Sequence, residues 1–351
     1  MPNLPIQRSL TERSVFLQRG RRKGRICLVW VDGICLIRYS RGRVRRLPGM
    51  DATRFLVVIA DDYGIGPETS RGILELAARN LITGTVLIVN SLYAEEAVRA
   101  WRQSGCELEI GWHPCLTLDR PCAPAQRVPS LLDYDGRMLP LRRFLARLYM
   151  HQICPRQIEI ELHAQYDRFL ELIGHAPTLV NSHQHISLFP PIGSILRRVL
   201  LARGAPLPYL RRVAEPWSML GRIRGARRKR TLLTLLGRIE ARHQAQDGFP
   251  GNDWLAGITD PPWVNDPAFF ARWLVQMPGR IVELACHPGR RDPTLIGRDC
   301  TEHDGMLQRR IEELRLLQQP NFLDACRQAG FTLVSVSELR AHRIGRIAHA
   351  A

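Results

Sequence analysis

The chain has 351 residues, 45% hydrophobic and 24% charged, so it can bury a large core and has the composition of a globular protein. Its formal net charge of +17 points towards a polyanion, either nucleic acid or an anionic membrane surface. The sequence has no apolar run long enough to cross a bilayer. Nine scattered cysteines without a CxxC pair argue against thiolate-bound zinc and for a reducing, cytoplasmic setting.

The excess charge is concentrated in residues 1–50, where twelve Lys/Arg face two acids (12 − 2 = +10). Within this basic extension, β-branched residues on both sides of Asp32-Gly33 fit a small hairpin. Three interpretations stay open: a disordered segment, the hairpin, or an upstream stretch of a mis-assigned start. A second basic segment, Arg222–Arg230, leads into an apolar helix and suggests either a solvated helix face or contact with an anionic or membrane-bound substrate.

From Phe55 onward, strands and helices alternate. Phe55–Ala60 is a continuous apolar run, typical of a strand buried on both faces. Pro67 then opens a helix that extends to about Asn80. The further predicted elements, in chain order, are strand 85–90, helix 94–102, strand 108–112, a long proline-rich loop over 114–155, helix 158–173, strands 179–182, 209–213 and 281–285, helices 305–318 and 321–329, and strand 331–336.

This repeated β-α-β pattern predicts an α/β fold with a parallel sheet and right-handed crossovers. We assign residues 51–340 to a single catalytic barrel domain and residues 341–351 to a flexible basic tail. Acidic and histidine side chains follow four of the predicted strands. In α/β barrels the active site lies at the carboxyl ends of the strands, so these side chains are expected to meet there.

Asp61-Asp62 follows the first strand of this series. Two adjacent carboxylates cannot both stay ionised in a dry site without a cation, and a metal ion would supply that charge. One carboxylate could coordinate the metal while the other takes a proton. A turn or a helix N-cap is the ordinary alternative for such a pair.

Histidines follow three of the other strands. His113 comes after Gly111-Trp112, where the glycine would let the backbone approach a ligand closely. Along an extended strand, His183 and His185 would point to the same face, as expected of a metal or proton-transfer site. His287 stands where a strand runs into a tight turn, a position that suits a proton donor.

The loop around Trp254 and Asp260 mixes polar and aromatic groups, a combination that suits sugar binding and is also ordinary for a long loop. We include both residues, together with His185, as predicted substrate-side residues.

Between Phe55 and Arg290 the sequence resembles the YdjC-like carbohydrate deacetylase family, which includes chitooligosaccharide deacetylases and hopanoid-associated deacetylases. The matching pieces, in the order of the family, are ADDYGIGPETSRGILE, TGTVLIVNS, EIGWHPCLTLDRP, VPSLLDYDGRM, PTLVNSHQHISLFP and ELACHPG. The resemblance implies a distorted (β/α) barrel of mostly parallel strands, like those of glycoside hydrolases and deacetylases. It also implies hydrolysis of the N-acetyl group of an acetylated amino sugar, either an oligosaccharide or a glycolipid, to acetate and a free amine.

The resemblance further assigns roles to individual residues. One divalent metal ion, with magnesium and zinc favoured, would be bound by Asp62, His113 and His183. Asp61 would be the general base and His287 a candidate general acid. Arg211 matches the substrate-side arginine of the family.

The sequence departs from the family at two positions: Asn181 stands where Asp is common, and Ser187 where a third histidine is common. Two other functions remain open, a metal-dependent sugar isomerase or lyase on the same barrel and a non-catalytic basic protein that binds nucleic acid or membranes. The partners we expect are the amino-sugar substrate, no obligatory nucleic acid, a weak association of the basic segments with anionic membranes, and a second copy in a homodimer.

Overall fold

The computed structural model describes residues 54–342 in full and, nearer the N-terminus, the backbone of three strands. These strands are β1 (Ile26–Val31), β2 (Ile34–Tyr39) and β3 (Val44–Arg45), and they form an antiparallel sheet in the order β1-β2-β3. The chain divides into two units, residues 1–53 and residues 54–351. Of the predicted tail, residues 341–342 continue a helix that starts at residue 336, and residues 343–351 lie outside the described residues.

The second unit is built on a parallel sheet of eight strands. Their order is β8-β7-β6-β5-β4-β10-β9, and β11 pairs with the beginning of β4. The strands are β4 (Arg54–Tyr63), β5 (Gly84–Leu87), β6 (Glu109–Trp112), β7 (Leu179–Val180), β8 (Tyr209–Leu210), β9 (Trp254–Ala256), β10 (Ile281–Cys286) and β11 (Phe331–Leu333).

The two edges of this sheet approach each other beyond β8 and β9. Leu255 N donates to Ala214 O at 2.8 Å, and Arg212 N donates to Asn252 Oδ1 at 2.8 Å. The segment after β8 is thus hydrogen-bonded both to β9 and to Asn252, two residues before β9 begins. The sheet therefore curls nearly into a ring. The prediction of a distorted barrel with mostly parallel strands is therefore confirmed.

Ten α-helices connect the described strands and cover the outside of the sheet. They are α1 (Pro67–Ala78), α2 (Ala94–Ser104), α3 (Leu141–Tyr149), α4 (Pro155–Ile173), α5 (Ile192–Ala202), α6 (Trp217–Arg222), α7 (Arg227–Gln246), α8 (Phe269–Gln276), α9 (Met306–Leu317) and α10 (Pro320–Gln328). Single 3-10 turns stand at Ala125–Arg127, Pro129–Leu131, Pro261–Asn265 and Pro293–Leu295, and a longer 3-10 segment at His183–Leu188. Each of these helices is too short or too polar to span a bilayer.

Strand β4 is central because β10 lies on one side of it and β5 on the other. Leu56, Val57 and Val58 have no exposed surface, as the apolar run predicted for a strand covered on both faces. The expected strand 55–60 and the helix that opens at Pro67 are both present.

The sequence-based prediction was wrong where several short elements replace an expected loop or strand. Helix α3 lies inside the segment predicted as a proline-rich loop, and its buried residues are Phe144 and Leu148. The strand expected over 179–182 ends at Val180. Helices α5 and α8 and strand β9 were not predicted; β9 has only three residues, too few to show a period.

Candidate active site

A bulge near the end of β4 directs two consecutive carboxylates towards one cavity. In a regular strand Asp61 and Asp62 would point to opposite faces of the sheet. The pairing of β4 with β5 shifts register between Ala60 and Tyr63, and Asp62 takes a left-handed φ of 67°. Both side chains consequently line the same cavity. Asp tolerates this left-handed conformation better than most residues, and bulges commonly re-aim side chains beside active sites.

Asp62, His113 and His183 form a buried cluster that could hold a metal ion. Asp62 Oδ1 lies 3.2 Å from His113 Nε2 and 2.9 Å from His183 Nδ1. Ligand atoms at about 2.1 Å from one ion and at right angles to each other lie about 3 Å apart, so this spacing fits a shared ion. One carboxylate and two imidazoles are a donor set that fits a divalent transition metal or magnesium.

Groups behind each member of this cluster orient it. His113 Nδ1 is 3.0 Å from the carbonyl oxygen of Asn181, a contact that leaves Nε2 facing the cluster. His183 Nε2 is 3.0 Å from Asp299 Oδ1, and Arg298 in turn forms an ion pair with Asp299. Arg310 Nη2 donates to Asp62 Oδ2 at 2.5 Å.

Asp62 stays ionised despite its burial. Burial favours the neutral carboxyl, but the cation of Arg310 and the neighbouring His183 outweigh it and hold the pKa of Asp62 well below its usual range. Arg310 occupies Oδ2, and Oδ1 is the oxygen that lies between the two histidines.

Asp61 is clamped from behind by Arg211. The guanidinium donates from Nη1 to Asp61 Oδ2 at 2.6 Å and from Nη2 to Oδ1 at 2.8 Å, while its Nε donates to Glu283. Asn181 Nδ2 donates to Asp61 Oδ1 at 3.2 Å. Burial would raise the pKa of Asp61, but the charge and hydrogen bonds of Arg211 hold it well below its usual range.

His287 follows β10 directly and stands beside Asp61. Its Nε2 lies 3.8 Å from Asp61 Oδ2, and its Nδ1 lies 3.4 Å from Arg309 Nη2. Burial, followed by the positive charge of Arg309, lowers the pKa of His287 to about 4. The ring is therefore neutral at neutral pH.

These groups open into a cavity of about 420 Å³. Six of the nine predicted site residues line it: Asp61, Asp62, His113, His183, His185 and His287. Three cations and one carboxylate in the lining were not predicted, namely Lys229, Arg309, Arg310 and Asp299. The rest of the wall is largely apolar, with Leu141, Phe189, Leu232, Leu233, Ile258 and Met306 among its residues. Such a wall with a few convergent polar groups is typical of a small-molecule site.

The other three predicted residues lie outside this lining. Arg211 is only 3% exposed, and its guanidinium contacts Asp61 and Glu283 behind the wall of the cavity. Asp260 Oδ2 accepts from Ala226 N at 2.6 Å and anchors the start of α7. The ring of Trp254 lies 5.1 Å from the guanidinium carbon of Arg238.

His185 reaches the cavity by a different backbone from the one expected. It belongs to a 3-10 segment, and Gln184 and His185 each have a φ of 52°, so the expected strand alternation with His183 is wrong. Burial lowers the pKa of His185 well below its usual range, with the charge of Arg211 acting in the same direction.

Two other sequence features acquire a structural explanation. A Cβ on Gly111 would meet Leu179 O at 2.3 Å. We expected this glycine to admit a ligand, but the group that it admits is the backbone of the neighbouring strand β7. Ser187, one of the two departures noted in the sequence, contacts Ser182 through their hydroxyl groups at 2.7 Å. The polar atoms of Ser187 thus stabilise the turn beside His183.

Comparison with known proteins assigns the chain to a family. A model of the YdjC-like protein family matches residues 55–328. A chitooligosaccharide deacetylase of Klebsiella pneumoniae is 34% identical over 282 residues, which cover 80% of this chain and 97% of that protein. A carbohydrate deacetylase of Mus musculus is 35% identical over 150 residues, which cover 42% of this chain and 48% of that protein. The match therefore spans about half the length of the mouse relative.

Among solved structures, a protein of Enterococcus faecalis superposes with a TM-score of 0.64 at 24% identity, over 82% of this chain and 99% of that chain. This likeness supports the fold. The names of the curated relatives agree with the expectation of a hydrolase that acts on amide bonds. From the span of the family match and the similarity to the Klebsiella pneumoniae protein, we conclude that this chain is a member of the YdjC-like family.

Proposed function

We propose that this protein is a metal-dependent deacetylase that hydrolyses the N-acetyl group of an acetylated amino sugar, releasing acetate and a free amine. The observation that carries the proposal is the convergence of a carboxylate–imidazole cluster, Asp62, His113 and His183, with a second carboxylate, Asp61, in one cavity. Amide hydrolysis needs a Lewis acid that polarises the carbonyl group and a base that takes a proton from water. A metal ion held by the cluster would supply the first, and Asp61 would supply the second.

Asp62, His113 and His183 would hold the ion in this scheme, with Asp299 orienting His183. A divalent metal bound there would polarise the acetamide carbonyl and acidify a water molecule. The ligand types admit magnesium as well as zinc.

Asp61 would accept the proton of the attacking water. Arg211 fixes both of its oxygens and keeps it ionised, so a carboxylate is ready in one orientation before substrate arrives. The depressed pKa also makes Asp61 a weak base, which favours prompt transfer of the proton onward.

His287 is placed to receive that proton. Its Nε2 is 3.8 Å from Asp61 Oδ2, and the ring starts neutral because its pKa is lowered to about 4. We propose that His287 takes up the proton during the reaction and gives it to the departing amine, which loses its bond to the acetyl carbon. His287 would thus be protonated by the attacking water, through Asp61, rather than by solvent.

The test is acetate release from a panel of N-acetylated monosaccharides, oligosaccharides and glycolipids, measured with and without a chelator and after metal is restored. We expect release that the chelator abolishes. Asp61→Asn should keep bound metal and lose acetate release, whereas His183→Ala should lose both.

His175→Ala is the matched control, because His175 is exposed in the loop before β7 and its ring contacts only the adjacent backbone. It should retain metal and activity. Full activity of Asp61→Asn would refute the assigned base. Absence of release from every substrate would instead favour an isomerase or a non-catalytic binding protein.

A further inference from the structure

Helix α7 carries a second apolar row that faces away from the barrel. The helix packs inward through Leu233 and Thr234. On another face, the side chains of Leu232, Leu235 and Ile239 are 50%, 50% and 52% exposed. Their spacing of three and four residues aligns them along one side of the helix. We call these three residues the α7 row.

The α7 row begins at the mouth of the active-site cavity. Leu232 both lines that cavity and is half exposed, so it forms part of the rim. Ile239, two turns further along, borders a separate groove of about 140 Å³ together with Leu236. Trp217 of α6 is 48% exposed and stacks under the guanidinium of Arg238, 4.8 Å from the ring centre. Apolar surface therefore continues outward from the mouth.

Basic residues flank this apolar surface. Arg227, Arg228 and Lys229 precede the α7 row and Arg242 follows it, all of them exposed. Of the six Lys/Arg in helix α7, Arg230 is buried and paired with Glu215, and the single acid of the helix, Glu240, is buried and paired with Arg197.

A second helix at the mouth has the same character. Leu141, which lines the cavity, opens α3, and Arg142 and Arg143 behind it are exposed. By contrast, an acid stands before α9, where Asp304 accepts hydrogen bonds from Thr301 N and Met306 N. Exposed basic residues beside a cavity-lining leucine therefore occur on both α3 and α7.

We propose that the α7 row and the arginines around it dock the mouth of the cavity onto an anionic lipid surface. Leucine and tryptophan beside exposed arginine are the composition of helices that lie in the headgroup region of a bilayer. Each arginine near an anionic leaflet adds attraction, and the apolar side chains enter the acyl boundary. A two-fold contact between copies of this chain would instead bring the arginines of α7 against one another, which is unfavourable.

This docking specifies the substrate class and, in that respect, rests on the proposed function. With the mouth at a bilayer, the acetylated amino sugar would be the headgroup of a lipid. The sugar would enter the cavity while its apolar anchor stays in the membrane along the α7 row.

The docking itself is tested with the full chain and sedimented vesicles of phosphatidylcholine, with and without phosphatidylglycerol. We expect binding to the anionic vesicles. The double variant Leu235→Ser, Ile239→Ser should weaken it about tenfold, because two half-exposed aliphatic side chains no longer enter the bilayer. The matched control is Leu92→Ser, Val275→Ser, which alters side chains that are 88% and 63% exposed elsewhere and should bind like the wild type.

The double variant carries no change in charge, so it leaves the basic residues 1–50 untouched. Binding that is equal in wild type and variant would place the contact in that basic extension and overturn the proposal. Arg228→Glu should also weaken binding, with Arg327→Glu on the exposed surface of α10 as its control. A wild-type dimer that the double variant converts to a monomer, without vesicle binding, would assign the row to a second copy and likewise overturn the proposal.

Acetate release separates this proposal from the proposed function. The double variant should act normally on a water-soluble acetamido sugar and lose about tenfold on the same sugar carried by a lipid in anionic vesicles. Release from soluble sugars without vesicle binding would refute the docking alone. Vesicle binding without release from any substrate would refute the deacetylase and leave the docking surface standing.

Discussion

Arg211 holds both carboxylate oxygens of Asp61, with Nη1 2.6 Å from Oδ2 and Nη2 2.8 Å from Oδ1. A lysine at this position would keep the positive charge and lose the two-point contact. We expect Arg211→Lys to lower kcat about 100-fold, because an error of about 1 Å in the base is enough for such a loss. KM and the amount of bound metal should change little, since Arg211 lies outside the cavity lining and the ligand cluster.

A matched variant separates positioning from stability. Arg340→Lys also removes contacts of a guanidinium, here to the carbonyl oxygens of Thr178 and Leu207, away from the cavity. It should lower the melting temperature while leaving kcat unchanged. If both variants lost activity only in proportion to their loss of folded protein, Arg211 would have a structural role alone.

The position of Arg211 shows what the sequence could and could not predict about the site. Asp61, Asp62 and His287 stand at strand ends, and parallel strands bring their carboxyl ends together, so the meeting of these strand ends follows from strand order. The bulge in β4 that directs both carboxylates into one cavity has no such sequence signal. Arg211 also follows a strand, but which side of Asp61 it occupies depends on the curvature of the whole sheet. Asp299 comes from the loop between β10 and α9 and has no local pattern that marks it.

Asp299 contacts His183 Nε2 at 3.0 Å on the side away from Asp62, and this contact yields a prediction about metal affinity. A carboxylate behind a ligating imidazole fixes its orientation and increases its basicity. Asp299→Asn should therefore weaken metal binding by about 10-fold to 100-fold, as measured by competition with a chromogenic chelator.

Glu302→Gln is the control for this variant, because Glu302 is an exposed acid in the same segment. It should bind metal like the wild type, and both variants should recover activity when metal is in excess. Unchanged affinity in Asp299→Asn would exclude Asp299 as the group that orients His183.

The neutral state of His287 predicts an unusual pH profile. A histidine that must be protonated by solvent loses activity as the pH rises through about 6.5. Burial and then Arg309 lower the pKa of His287 to about 4, so the ring is already neutral above about pH 5. The value of kcat/KM should show no fall near pH 6.5, and it should decrease only as the pH drops towards 4 and the ring loses its capacity to accept a proton.

Arg309→Met tests the cause of that shift. Removing the cation 3.4 Å from Nδ1 should raise the pKa of His287 and move the acidic limb of kcat/KM to higher pH. A fall of wild-type activity through pH 6.5 that disappears in His287→Gln would show instead that the resting ring is charged.

The fold was predictable wherever an element showed its own period. The apolar run at Phe55–Ala60 and the helix opened by Pro67 needed no tertiary information. The 3-10 segment at His183–Leu188 has no such period. Its turns depend on a hydrogen bond from Ser187 N to Ser182 Oγ and on a left-handed backbone at two non-glycine residues. From the sequence alone, His183 and His185 were expected to alternate as in an extended strand continuing from residues 179–182.

Gly111 gives a stability prediction that follows from the close approach of β6 and β7. A Cβ at this position would lie 2.3 Å from Leu179 O and 2.9 Å from Leu179 C, both backbone atoms that cannot rotate away. Gly111→Ala should therefore force the two strands apart and lower the free energy of unfolding by about 3 kcal/mol, at the upper end of ordinary overpacking. Urea unfolding followed by circular dichroism measures this change.

The control is Gly221→Ala in α6, where an added Cβ meets nothing within 4 Å. That variant should be neutral or slightly stabilising, because alanine favours a helix more than glycine does. The displacement caused by Gly111→Ala would also reach the site, since His113 lies two residues further on and its ring contacts Asn181 O, two residues beyond Leu179. Metal affinity should therefore fall together with stability in Gly111→Ala; a destabilised variant with unchanged metal affinity would show that His113 is held independently of the β6–β7 spacing.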